Sequence, residues 1–168
     1  MAMKEINPKE LSFNPFSMIG DEWMLVTAGD EKKFNTMTAS WGGVGVMWGK
    51  NVVSAVIRPQ RYTRIFLDSE AYFTLSVYDE QYRPALSLCG SKSGRDIDKA
   101  KETGLMPVFT EKAPYFEQAK LVLVCRKLYV QQMNPACFID KGCDEKWYPN
   151  KDYHYQYVAE IEKVLVRE

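Results

Sequence analysis

The run from Asn35 to Thr63, NTMTASWGGVGVMWGKNVVSAVIRPQRYT, decides the fold. It opens with Asn35-Thr36-Met37-Thr38-Ala39-Ser40-Trp41, where small hydroxyl and apolar residues alternate with the period of a β-strand. A glycine-rich stretch, Gly42-Gly43-Val44-Gly45-Val46-Met47-Trp48-Gly49, comes next. Val52 to Ile57 is β-branched and apolar on both faces, which suits a buried strand. Arg58-Pro59 ends it, because proline cannot donate to a ladder and restricts the residue before it. Tyr62, Ile65 and Phe66 then fall at i, i+3 and i+4, one face of a short helix that ends near Ser69.

Working outward, Trp23 to Ala28 is an apolar run closed by the turn signal Gly29-Asp30, and it reads as the hairpin partner of residues 34–41. Residues 1–20 carry Pro8 and Pro15 and read as an arm laid over the domain. Downstream, Ala71 to Tyr78 is a strand. Pro84 opens a second helix in which Leu86 and Cys89 share a face and which Gly90 closes. Asp96 to Thr103 makes a third, closed by Gly104. Leu121 to Val130 is a long strand, and residues 134–150 read as an irregular loop. In the last strand, Tyr153 to Val166, Tyr155, Tyr157, Ala159 and Ile161 share one face, and Gln156, Glu160 and Glu162 the other. The expectation is one domain over residues 1–168, mainly β with three short helices: a β-barrel with helical connections rather than a βαβ wind.

Composition narrows the function. A chain of 168 residues, 46% hydrophobic, buries enough surface to fold without disulfide or metal staples. Aromatics at 13% suit a β-rich core or a flat ligand that needs flat walls. Lys plus Arg equals Asp plus Glu, at 22 each, so nothing draws the chain to nucleic acid or an anionic membrane. Any anion site must be local. Cys89, Cys125, Cys137 and Cys143 form no CxxC pair, and His154 is the only histidine, which excludes a His-rich metal site. Lys4 and Glu5 stand where a signal peptide needs an apolar run, and the apolar stretch Leu121 to Cys125 is far short of a bilayer span. The expectation is a cytoplasmic protein with reduced thiols.

Three segments can carry chemistry. Short side chains along Thr36 to Trp41 let a ligand approach the backbone; the alternative is a strand with one polar face. Arg58-Pro59-Gln60-Arg61-Tyr62-Thr63 gathers two guanidinium groups and a hydroxyl at a helix start, where an anion is favoured; the alternative is a capped helix with solvated arginines. Cys89-Gly90-Ser91-Lys92-Ser93-Gly94-Arg95-Asp96 can aim N–H groups and two cations at a phosphate, or be a plain turn. It lacks Walker spacing, and Gly42-Gly43-Val44-Gly45 does not fit a Rossmann fingerprint. With no nucleophile–base pair, the hard chemistry of an enzyme here belongs to a cofactor.

These words in this order resemble the flavin reductase-like, or flavoredoxin, family of FMN-binding split barrels. The matching stretches are 35–50, IRPQRYT at 57–63, YFTLSV at 72–77, LCGSKSGRDIDKAKETGL at 88–105 and HYQYVAEIEKV at 154–164. The resemblance implies a homodimer that holds FMN in a groove near the dimer interface, and the sequence itself does not decide between FMN and the less favoured FAD. It implies that Thr36, Met37, Thr38, Ala39, Ser40 and Trp41 line the isoalloxazine. Arg58, Gln60, Arg61, Tyr62 and Thr63 would then hold the phosphate and ribityl chain. Cys89, Gly90, Ser91, Lys92, Ser93 and Arg95 would close the phosphate end or the pyrimidine edge, and His154 would lie near the flavin face as a catalytic candidate. Loop 134–150 matches no family word and is where substrate choice can reside. Three functions compete: an NAD(P)H-dependent flavin reductase, a flavoredoxin-like carrier paired with a redox protein, and a barrel that has lost its flavin.

Overall fold

A computed structural model describes residues 2–168. Among these residues are ten strands and five short α-helices. In order they are β1 (Met3–Ile6), α1 (Pro15–Ser17), β2 (Met24–Gly29), β3 (Phe34–Ala39), β4 (Gly42–Met47) and β5 (Lys50–Ile57). There follow α2 (Thr63–Ser69), β6 (Tyr72–Val77), α3 (Arg83–Ser91), α4 (Lys99–Thr103), β7 (Pro107–Val108) and β8 (Tyr115–Phe116). The chain closes with β9 (Leu121–Gln132), α5 (Lys141–Trp147) and β10 (Tyr155–Arg167).

The main sheet is antiparallel, in the order β3-β2-β6-β9-β10-β5-β4, with β1 also on β10. Along one edge β10 pairs with β9 throughout; along the other it pairs first with β5 and then, from Val164, with β1. Two register shifts, at Val158/Ala159 and Ile161/Lys163, bend it between these partners, as bulges do. This is a mostly antiparallel split barrel with few short helices.

Both faces of the central strands are buried, which explains their near-continuous apolar runs. On β9, Leu123 and Cys125 join the barrel interior with Phe73, Tyr157 and Ile57. Their neighbours Val122 and Val124 face a second cluster with Leu86, Cys89 and Phe116, beneath α3 and the 105–119 segment. The period of two thus deals one strand's residues to two cores.

Several expectations need correction. The 1–20 arm contributes a true strand, β1, and three short helical turns. The glycine-rich stretch is β4, joined to β5 by Trp48-Gly49, both at positive φ (53° and 69°), the two-residue turn that matches strand twist. On α2 the buried face is Thr63, Phe66 and Leu67, while Ile65 is exposed. Gly90 does not end α3 but lies within its last turn, backed against Thr38. The third helix begins at Lys99, because the Asp98 side chain accepts from Lys101 N and caps it there. The 134–150 loop is ordered by two Asx caps: Asn134 starts a helical turn at Pro135–Cys137, and Asp140 starts α5. No helix among the described residues is long and apolar enough to cross a membrane.

Candidate functional site

Strand β3 is a sheet edge that pairs only with β2. The Thr36 carbonyl points away from β2, since it accepts from Lys99 Nζ at 2.7 Å. Alternate residues turn their backbone groups to the same side, so Thr38 presents its own along this free edge as well. Beside it lies a cavity of about 460 Å³ lined by Met37, Thr38, Ala39, Ser40, Trp41, Val56, Arg58, Arg61, Trp147 and His154. That volume lies in the range of small-molecule sites.

One end is aromatic. Trp41 packs edge to face on Trp147, with centroids 4.9 Å apart, and lies 5.2 Å from the His154 ring. His154 is buried, with Nδ1 2.7 Å from Tyr148 Oη, and Tyr148 also donates to Met133 Sδ at 3.4 Å. Burial, and then the nearby Arg58, push the imidazole down to about 4, so it is neutral at physiological pH.

Residues 58–63 divide their labour. Arg58 pairs with Asp152 at 2.8 Å and donates to the Trp147 carbonyl at 3.0 Å, and Gln60 donates to the same Asp152 oxygen at 2.8 Å. These contacts hold the 147–152 segment over the cavity and pull the Asp152 carboxyl below its usual range, the Gln60 bond first. Arg61 instead reaches the end of α3, donating to Gly90 O at 2.7 Å and Cys89 O at 3.3 Å. Thr63 is buried and its hydroxyl accepts from Asn35 Nδ2 at 2.8 Å; Tyr62 packs on Phe66.

The third segment folds back on the second. Arg95 stacks over the Tyr62 ring at 4.6 Å and donates to Gln60 O at 3.4 Å. Gly94 presses so closely on β3 that a Cβ there would lie 2.0 Å from Asn35 Oδ1. Ser91 and Ser93 bond within their own turn, and Ser91 and Lys92 are exposed outside the cavity wall. Thr36 faces away from the cavity, its hydroxyl bonded to Thr27 and Val26. Cys89 is fully buried, with its thiol pushed up to about 11 by burial. From the sequence alone, Trp147 and Tyr148 are only part of a loop that can cover the site, and Lys99 has no role; for Lys99 a signal existed, since Asp98 caps a helix that aims its first residue inward.

Fold and cavity together define a split barrel of the flavin reductase-like type. The family described as flavin reductase like domain matches residues 17–168, and the chain belongs to it. A flavoredoxin from Methanosarcina acetivorans superposes with a TM-score of 0.70 at 19% identity, over 88% of this chain and 69% of that one. A flavoredoxin of Desulfovibrio vulgaris (Miyazaki F) gives 0.68 at 21% identity, over 98% and 76%. An FMN-binding domain of a flavin reductase-like enzyme from Shewanella baltica OS155 gives 0.69 at 15% identity, over 98% and 77%. No curated protein matches the sequence.

Proposed function

We propose that the chain binds FMN in the cavity beside β3 and acts as an FMN-dependent oxidoreductase of the flavin reductase kind, with a reduced nicotinamide nucleotide as electron donor. The observation that carries this is Arg61: a guanidinium on the cavity wall with no carboxylate partner among the described residues, beside the free backbone edge of β3. A cation without a counter-charge suits a phosphate, and unpaired N–H and C=O groups suit the polar edge of a heterocycle. The family membership and the FMN-binding domain from S. baltica point the same way.

FMN, when bound, supplies hydride and single-electron chemistry. The chain's own residues bind, orient and shield. Met37 to Trp41 offer backbone contacts, Trp41 and Trp147 exclude water, and the Arg58–Asp152–Gln60 contacts hold the covering segment in place. His154, neutral and with Nε2 free of its Tyr148 bond, stands on the cavity wall as a hydrogen-bonding group for whatever enters. We further infer a homodimer built on β4. That strand pairs only with β5, and Val46, Met47 and Trp48 stand exposed on it and its turn.

One observation favours a second reading, a flavoredoxin-like carrier. The edge-to-face pair Trp41–Trp147 covers one end of the cavity, which suits a shielded flavin better than one open to a stacking nicotinamide. Anaerobic addition of NADH and then NADPH to the FMN-loaded protein separates the two. Bleaching of the flavin spectrum within seconds supports the reductase; persistence with both, and bleaching only by dithionite, supports the carrier.

A further inference from the structure

A second cavity, of about 330 Å³, lies between the helical turn at Met18–Glu22 and the start of α3. It shares no lining residue with the cavity beside β3. Six of its eight lining side chains are charged, and most of these are already partnered. Glu22 pairs with Lys120, and Asp79 with Arg167. Arg83 donates to the Asp21 and Glu22 carbonyls and stacks 3.9 Å from the centre of the Trp23 ring. Trp23 stands at φ 71°, a conformation that a bulky residue adopts only where its surroundings hold it there. Two carboxylates are left over. Asp21 and Glu80 have no ion-pair partner among the described residues.

The same wall holds an unmatched hydroxyl. Tyr78 lines the cavity with 3% of its surface exposed. The Ser76 hydroxyl lies beside its phenol, yet neither oxygen has a partner at hydrogen-bonding geometry among the described residues. Burial raises the phenol above its usual range, so it stays protonated and its lone pairs stay open. A buried hydroxyl without a partner is costly, and a ligand that supplies one removes the cost.

We propose that this cavity binds a small organic cation, a primary ammonium on a short apolar stem. An ammonium carries three N–H donors, as many as the acceptors left open by Asp21, Glu80 and Tyr78. The stem lies against the Tyr78 ring and Leu86. An anion is disfavoured, because both free charges are negative and the wall's cations are engaged. A metal ion is a poorer fit: the described residues contain no group of three or more His, Cys, Asp or Glu side chains placed to share one. The site is independent of the FMN reading above.

The test titrates the purified chain with n-butylammonium chloride at constant ionic strength, followed by ligand-detected NMR, with n-butanol as the uncharged control. Butylammonium should bind with a dissociation constant below about 10 mM, and butanol about ten-fold more weakly or less tightly still. Asp21→Asn combined with Glu80→Gln keeps the shape and removes the charge, and should weaken butylammonium about ten-fold or more. Tyr78→Phe should melt no lower than the wild type, since it removes an unpaired hydroxyl, while binding butylammonium about five-fold more weakly. A purely structural tyrosine would show neither effect together. Binding above about 10 mM, equal binding of butanol, or unchanged affinity in either variant would overturn the proposal. Displacement of butylammonium by FMN would place it in the other cavity and overturn the assignment as well.

Discussion

Tyr148 Oη lies 2.7 Å from His154 Nδ1, in a nest of rings that includes Tyr153 at 4.9 Å from Tyr148 and Trp41 at 5.2 Å from His154. The pair joins the end of α5 to the start of β10, so one hydrogen bond connects the covering segment to the barrel wall.

His154 is the only histidine, so its proton resonances need no assignment. They should stay unshifted from pH 8 down to about 5 and move only towards a midpoint near 4. The folded-state value lies below the ordinary 6.5, so the unfolded chain binds the proton more tightly. Stability from this group is therefore complete above about 6.5 and is lost as pH falls towards 4. A midpoint near 6.5 in the folded protein would contradict the buried placement.

Tyr148→Phe removes the phenol and leaves His154 Nδ1 without its partner. The cost should be about 1–3 kcal/mol of unfolding free energy, read from denaturant midpoints. A change under about half a kcal/mol would mean that the bond does not form in solution.

The fold was legible because its strands carry their own period. Runs 24–29, 34–39, 72–77 and 121–125 alternate or are apolar throughout, as their burial requires. The bulges of β10 were not legible, since nothing in Ile161-Glu162-Lys163 marks a register shift; it shows only in the pairing with β9. Helix α5 was hidden by composition: Gly142, Cys143 and Asp144 are poor helix formers, and the Asp140 cap that starts it resembles a turn. The site was legible as three words but not in its division of labour. Arg58 and Arg61 are three apart and look alike, yet one is neutralised by Asp152 and the other is not. That difference depends on a residue some ninety positions away.

The same difference can be measured. Arg61→Ala should weaken FMN binding by about 1.5–3 kcal/mol, the worth of a charge-assisted contact. Arg58→Ala should act on the covering segment instead, speeding proteolysis between Trp147 and Asp152 while lowering FMN affinity less than Arg61→Ala does. Equal losses of affinity would show that both guanidinium groups meet the ligand.

Phe73 is wholly buried at the centre of the barrel core. Phe73→Ala should lower stability by about 3–5 kcal/mol, which a thermal or urea melt reads directly. A loss below about 1 kcal/mol would mean that the core refills the space.

If β4 pairs with a second copy, the wild type should sediment at twice the 19.4 kDa chain mass. Val46→Glu, at a position 74% exposed within one chain, should then give a folded monomer. A monomeric wild type would remove the homodimer from the proposal.

The most direct measurement is a titration of the apoprotein with FMN, following flavin and tryptophan fluorescence together. FMN seated between the free edge of β3 and the Trp41–Trp147 pair should quench both signals at one flavin per chain, and Trp41→Ala should remove part of the tryptophan change. Flavin fluorescence that remains as in free solution at every ratio would contradict FMN binding in this cavity.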